Sequence, residues 1–145
     1  MGKRLAVAII TLSVILAAPF ATAEGNNHCG LRGTYAFTGF GATFEGNALG
    51  FPAGAVSTNG TATFYENGNS VVREVEVING VLLNPAAEYT GTYTLNSDCT
   101  FTVTINGTTF PGFVGVVTDN GKQIRAMTTI PGVQVNFTNT IRVHP

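Results

Sequence analysis

Thr100-Phe101-Thr102-Val103-Thr104-Ile105 alternates without a break, threonines on one parity and apolar residues on the other. Successive side chains of a strand point to opposite faces, so this segment reads as a strand with one buried and one wet face. Tyr89-Thr90-Gly91-Thr92-Tyr93-Thr94-Leu95 repeats the pattern, with Tyr89, Tyr93 and Leu95 on the inner side. Near the end, Val133, Val135, Phe137, Ile141 and Val143 share one parity, opposed by Gln134, Asn136, Thr138, Thr140 and Arg142. Beyond residue 23 no stretch shows the 3.6-residue apolar period of an amphipathic helix.

Turn residues punctuate these runs. Glu66-Asn67-Gly68-Asn69, Asn96-Ser97-Asp98, Asn106-Gly107 and Asp119-Asn120-Gly121 each separate two alternating segments. Asn-Gly suits the positive φ angles of a type I′ hairpin turn. The pattern predicts strands over 33–44, 53–65, 70–78, 89–95, 99–105, 108–117, 123–130 and 133–143, with irregular stretches at 45–52 and 79–88. About eight antiparallel strands joined by hairpins must hide their edges, and closing the sheet does so completely. The expected fold is all-β: a single antiparallel, mostly meander barrel.

The first residues follow a different rule. Met-Gly-Lys-Arg precedes an apolar run from Leu5 to Ala18, then Pro19 and the small-residue triplet Ala21-Thr22-Ala23. A basic start, a short apolar segment and small residues before a cleavage point form a secretory signal. The run is too short for the roughly 20 residues of a spanning helix. Cys29 follows Asn26-Asn27-His28 and not a small-residue lipobox, which argues against a lipoprotein. The expected organisation is a signal peptide at 1–23 and one barrel domain at 24–145, secreted or periplasmic, with no membrane span after cleavage.

Removing 1–23 leaves five basic and eight acidic residues. Nucleic acid, whose phosphates call for clustered Lys and Arg, is excluded as a partner by that balance. In an oxidising compartment Cys29 and Cys99 are expected to pair as a structural disulfide. With only His28 and His144 beside them, a metal site lacks its usual complement of about four ligands.

Candidate chemistry is sparse. The chain has no nucleophile elbow, zinc-protease helix, phosphate loop or dinucleotide fingerprint, so no cofactor is expected. Arg73 shares parity with Val71, Val75 and Val77, which places it on the presumed inner face, where it would meet an anionic ligand group or snorkel to water. Glu74 and Glu76 then face outward together as a solvated pair, the competing reading being a general acid and base. Asn139 sits on the apolar parity of the last strand between Phe137 and Ile141, and a buried asparagine needs a partner or a ligand. Tyr35, Tyr89 and Tyr93 are expected to be packing aromatics with satisfied hydroxyls. Arg73, Asn139, Tyr35 and Tyr93 form the candidate ligand-binding set. Asn59, Asn106 and Asn136 each begin N-x-[ST], which matters only in a eukaryotic secretory pathway.

Cys29-Gly30-Leu31-Arg32-Gly33-Thr34-Tyr35-Ala36-Phe37, followed later by Gly91-Thr92-Tyr93-Thr94-Leu95-Asn96-Ser97-Asp98-Cys99-Thr100, resembles a group of small exported bacterial proteins of unknown function. That group opens with C-x-L-x-G-T-Y-x-F, carries G-T-Y-x-(L/V)-N-x-D-C-T, and is similar to the barrels of allene oxide cyclase and dirigent proteins. The resemblance implies a barrel with an apolar lumen and transfers no catalytic residue. Three roles fit: a binder of a small hydrophobic molecule, a structural or envelope protein with a filled barrel, or a cyclase or isomerase shaping a hydrophobic substrate. An open lumen would separate the first and third from the second.

Overall fold

A computed structural model of the chain describes residues 29–144; the proposed signal segment and its cleavage point lie outside the described residues. Eight strands follow one another: β1 Gly33–Thr43, β2 Gly54–Phe64, β3 Asn69–Ile78, β4 Val81–Leu95, β5 Thr100–Ile105, β6 Pro111–Thr118, β7 Gln123–Thr128 and β8 Val133–His144. Each pairs antiparallel with the next, and β8 returns to β1, closing the barrel. Closure pairs every strand on both sides over part of its length, although β4 meets β5 only from Gly91 to Leu95. Among the described residues no helix is long and apolar enough to cross a membrane.

The expected alternation holds where one parity is plainly apolar. Phe101 and Val103 are buried, while Thr100 and Thr102 are half-buried and Thr104 is exposed. Val135 and Phe137 point inward in the same way.

Three expectations are corrected. In β3 the inner set is Val72, Glu74, Glu76 and Ile78, and the outer set includes Arg73 and Val75. Valines stand on both parities of this strand, so its own pattern is ambiguous. The tight turn after β2 decides it, pairing Phe64 with Ser70 and Ala62 with Val72. Directly opposed residues share a face, and Phe64 belongs to the core. Gly60 lies opposite Glu74, where a Cβ would come within 2.0 Å of the Arg73 carbonyl oxygen, so only glycine lets the two strands approach.

In β8 one extra residue is inserted. Thr138 opposes Thr38 while Ile141 opposes Ala36, so three steps on β8 match two on β1. Such a bulge reverses the parity of the residues that follow, here as far as a second shift between Arg142 and His144. Thr140 is therefore buried, while Ile141 and Val143 are exposed rather than inward.

The stretch 79–88 is not an irregular loop. Asn79 and Gly80 have φ of 52° and 76°, positive at both central positions of a two-residue turn. β4 starts at once and reaches Leu95, with a register slip near Pro85, a residue confined to strand irregularities because it has no N–H. The Asn106-Gly107 turn, by contrast, has positive φ at Gly107 and not at Asn106.

One end of the barrel is sealed. The chain from Cys29 to Leu31 is buried there, and Cys29 is bonded to Cys99 at the start of β5, with Cα atoms 5.4 Å apart. Tyr35, fully buried, donates its hydroxyl to the Gly121 carbonyl at 2.7 Å. Arg142 donates to the Gly30 carbonyl from the other side of this seal. Above it, Phe64 makes edge-to-face contacts with Tyr35, Tyr93 and Phe101.

Candidate functional site

The upper half of the lumen is open. A cavity of about 260 Å³ lies between Glu74, Glu76 and Tyr89 on one wall and Val133, Val135 and Phe137 on the other. Leu49, Phe51, Asn106, Thr108 and Ile130 line it where the connections at this end of the barrel meet. Asn47 shapes the longest of those connections. Its amide donates to the Phe44 and Phe51 carbonyls, and its oxygen accepts from the backbone N–H groups of Leu49 and Phe51. Backbone bonds from Phe44 to Gly132 and from Ala48 to Pro131 tie that loop to the β7–β8 connection.

Strand pairing delivers the polar groups to the same wall. Thr58 of β2 opposes Glu76, and Glu74 lies one inward position further along β3. The Thr58 hydroxyl donates to Glu74 Oε2 at 2.5 Å. Tyr89, from β4, donates to Glu76 Oε1 at 3.0 Å. Glu76 Oε2 is buried without a hydrogen-bond partner among the described residues.

Burial governs the electrostatics. It pushes the Glu74 carboxyl up to about 7, against the Thr58 hydrogen bond and reinforced by the nearby charge of Glu76. Glu76 is raised for the same reason, with the Tyr89 hydrogen bond opposing. Tyr89 is raised too, by burial and then by Glu76, so it remains a phenol across the physiological range. Near neutral pH the protonated and ionised forms of Glu74 are therefore both populated. Among the described residues no Lys, Arg or His lines this cavity.

The residues selected from sequence are dispersed. Arg73 lies on the outer face, its Nε 2.7 Å from Glu88 Oε2, with both side chains half exposed to water. Tyr35 and Tyr93 belong to the sealed end. Tyr93 donates to the Tyr65 carbonyl at 2.9 Å, and neither tyrosine reaches the cavity. The side chain of Asn139 falls outside the described residues. Sequence reasoning did not select Thr58 or Tyr89 and set Glu74 and Glu76 aside as a solvated outer pair; a contrary signal existed in Val72 and Ile78, which share the glutamates' parity.

A larger concavity, about 840 Å³, lies on the outer surface over β5 to β8. Arg125 is its only charged lining residue, and it holds no buried titratable group. Among the described residues no group of three or more His, Cys, Asp or Glu is placed to hold a metal ion.

No family model, no curated protein and no solved structure matches this chain. The site is therefore read on its own chemistry.

Proposed function

We propose that this is an exported binding protein that takes a small, mostly apolar molecule into the upper lumen, its polar end toward Glu74, Glu76 and Tyr89. The observation that carries the reading is the cavity itself: apolar over most of its wall, blocked below, and polar at one buried patch. Ligand sites combine those features. At about 260 Å³ the space exceeds the roughly 150 Å³ apolar cavity that holds a benzene, and falls just short of the range for drug-sized ligands. A single-ring or short-chain molecule suits it. Export is supported by the pattern of residues 1–23 and by the Cys29–Cys99 bond, which persists in oxidising compartments. The resemblance to allene oxide cyclase-like barrels agrees with an occupied lumen.

Calorimetric titration of the mature protein with single-ring probes tests this. One-to-one binding is expected, abolished by Val133→Phe, which fills the cavity. Binding unaffected by that substitution would move the site elsewhere.

One observation favours a second reading, an isomerase or cyclase. Glu74 holds a proton near neutrality beside a second carboxyl, so one could deliver a proton to a bound molecule while the other removes one. Conversion of a lumen-bound compound that is lost in both Glu74→Gln and Glu76→Gln, and unchanged in Arg73→Gln, would establish it.

A further inference from the structure

The geometry points to a cationic head group: the ligand of the upper lumen is a small primary or secondary amine on an alkyl or aryl body, held as its ammonium between Glu74, Glu76 and Tyr89. This rests on the reading of the upper lumen as a ligand site and specifies what that site selects.

The charges around the cavity have one sign. Its titratable lining groups are two carboxyls and a phenol. β2, which flanks the glutamates on one side, contributes only the neutral hydroxyl of Thr58 at this point. β4, on the other side, contributes Tyr89 to the lumen, while its Glu88 lies on the outer face with Arg73. Across the lumen, β6 and β8 present Phe113, Val133, Val135 and Phe137. Arg73 is the nearest cation in sequence, immediately before Glu74 on β3, yet strand alternation turns it outward and Glu88 engages it. Among the described residues nothing neutralises this pair from inside.

Two buried carboxyls without a cation are costly unless they hold protons or acquire a counter-charge. Glu74 and Glu76 are two residues apart on one face, so their backbones are separated by about 7 Å. An ammonium set between their side chains could donate to both. It has donors to give and needs no acceptor. Glu76 Oε2, on a residue only 7% exposed, is the oxygen in want of a donor. Once Tyr89 has donated to Glu76, its own oxygen remains free to accept a further bond. A carboxylate ligand finds the opposite: two acids and no basic partner. A fatty-acid-like molecule, which an inward Arg73 would have favoured, is rejected by the wall as it stands.

Binding of an ammonium favours the ionised form of both carboxyls, so the amine should displace a proton wherever Glu74 still holds one. Near neutrality Glu74 is partly protonated. Well above that range it has no proton to lose, and none should be released.

The test is calorimetric titration of the disulfide-intact mature protein with benzylamine, benzyl alcohol and benzoate, which share a ring and differ in the head group. Benzylamine should bind at least about tenfold tighter than benzyl alcohol, a difference of about 1.4 kcal/mol, and benzoate weakest of the three. Repeating the benzylamine titration in buffers of different ionisation enthalpy should show proton release at about pH 6 that has largely gone by about pH 8, where the free amine is still an ammonium. Glu74→Gln and Glu76→Gln should each reduce the preference for the amine while retaining benzyl alcohol. The wild-type head-group comparison stands whether or not those variants fold. Equal or tighter binding of the alcohol would overturn the amine assignment and leave the lumen site intact. Failure of all three compounds to bind would overturn both.

Discussion

The two halves of this barrel are made from the same eight strands and do opposite things with them. In the sealed half, Tyr35 and Phe101 have almost no exposed surface, and aromatic rings meet edge to face around Phe64. The Tyr35 hydroxyl there donates to Gly121, although Arg142 Nε is buried without a partner among the described residues. In the open half, the inward positions hold two carboxyls, the packing leaves about 260 Å³ unfilled, and one carboxyl oxygen has no partner. Below the open cavity, where the sealed half begins around Phe64 and Phe101, only about 30 Å³ is left empty. The contrast separates two roles: close-packed rings and a covalent link hold the barrel together at one end, which lets the other end carry groups that destabilise it.

Substitutions can break or sharpen that division. Phe101→Ala in the sealed half should lose about 3–5 kcal/mol of unfolding free energy in urea, because the ring sits in a packed core that cannot collapse around the gap. A loss below about 1 kcal/mol would show that this end is not the stable one. The double replacement of Cys29 and Cys99 by serine should lower stability by about 2–4 kcal/mol, since the bond closes a long loop in the unfolded chain. Thermal unfolding with and without reductant offers the same comparison, and coincident curves would contradict it.

Glu74→Gln probes the open half through pH. A carboxyl whose folded value is raised from 4.5 to about 7 keeps its proton longer in the native state than in the unfolded chain. Its contribution is unchanged below the unfolded value, is lost progressively as pH rises between the two, and is fully lost above the folded value. The wild-type protein should therefore lose stability across that interval, by at most about 3 kcal/mol from this group. Glu74→Gln should flatten most of the slope, leaving the smaller part due to Glu76, which shifts in the same direction. Parallel wild-type and variant profiles would mean that Glu74 is better solvated than its position implies. The smallest effect belongs to Val56→Ala, beside the existing cavity: about 1 kcal/mol, because the removed methyl groups already face open space on one side. A cost as large as that of Phe101→Ala would erase the distinction between the halves.

The fold was legible where a strand's two parities differ sharply in chemistry. Threonine against Phe101, Val103 and Ile105 leaves one choice for β5, and the hairpin-rich order of strands leads to closure. The site was not legible, and β3 shows why. Val71-Val72-Arg73-Glu74-Val75-Glu76-Val77-Ile78 offers apolar residues to either face. Counting valines puts Arg73 inside and the glutamates outside. The pairing of Phe64 with Ser70 reverses that, and within β3 only Val72 and Ile78 point the same way, against three valines on the other parity. The β8 bulge had the same consequence for Ile141, since a single inserted residue exchanges the faces of the residues that follow.

Local sequence, then, determined what local physics can decide: turn chemistry, alternation within unambiguous strands, and the pairing of the two cysteines. Tertiary structure alone decided which way the acids of β3 point and that the lumen above them is open. Register is set by contacts between strands, and an error of one residue turns every side chain to the other face. A barrel's interior is the product of all eight registers at once. Whether it is filled or hollow depends on side chains far apart in the chain, such as Glu76 and Val133, meeting at one height within it.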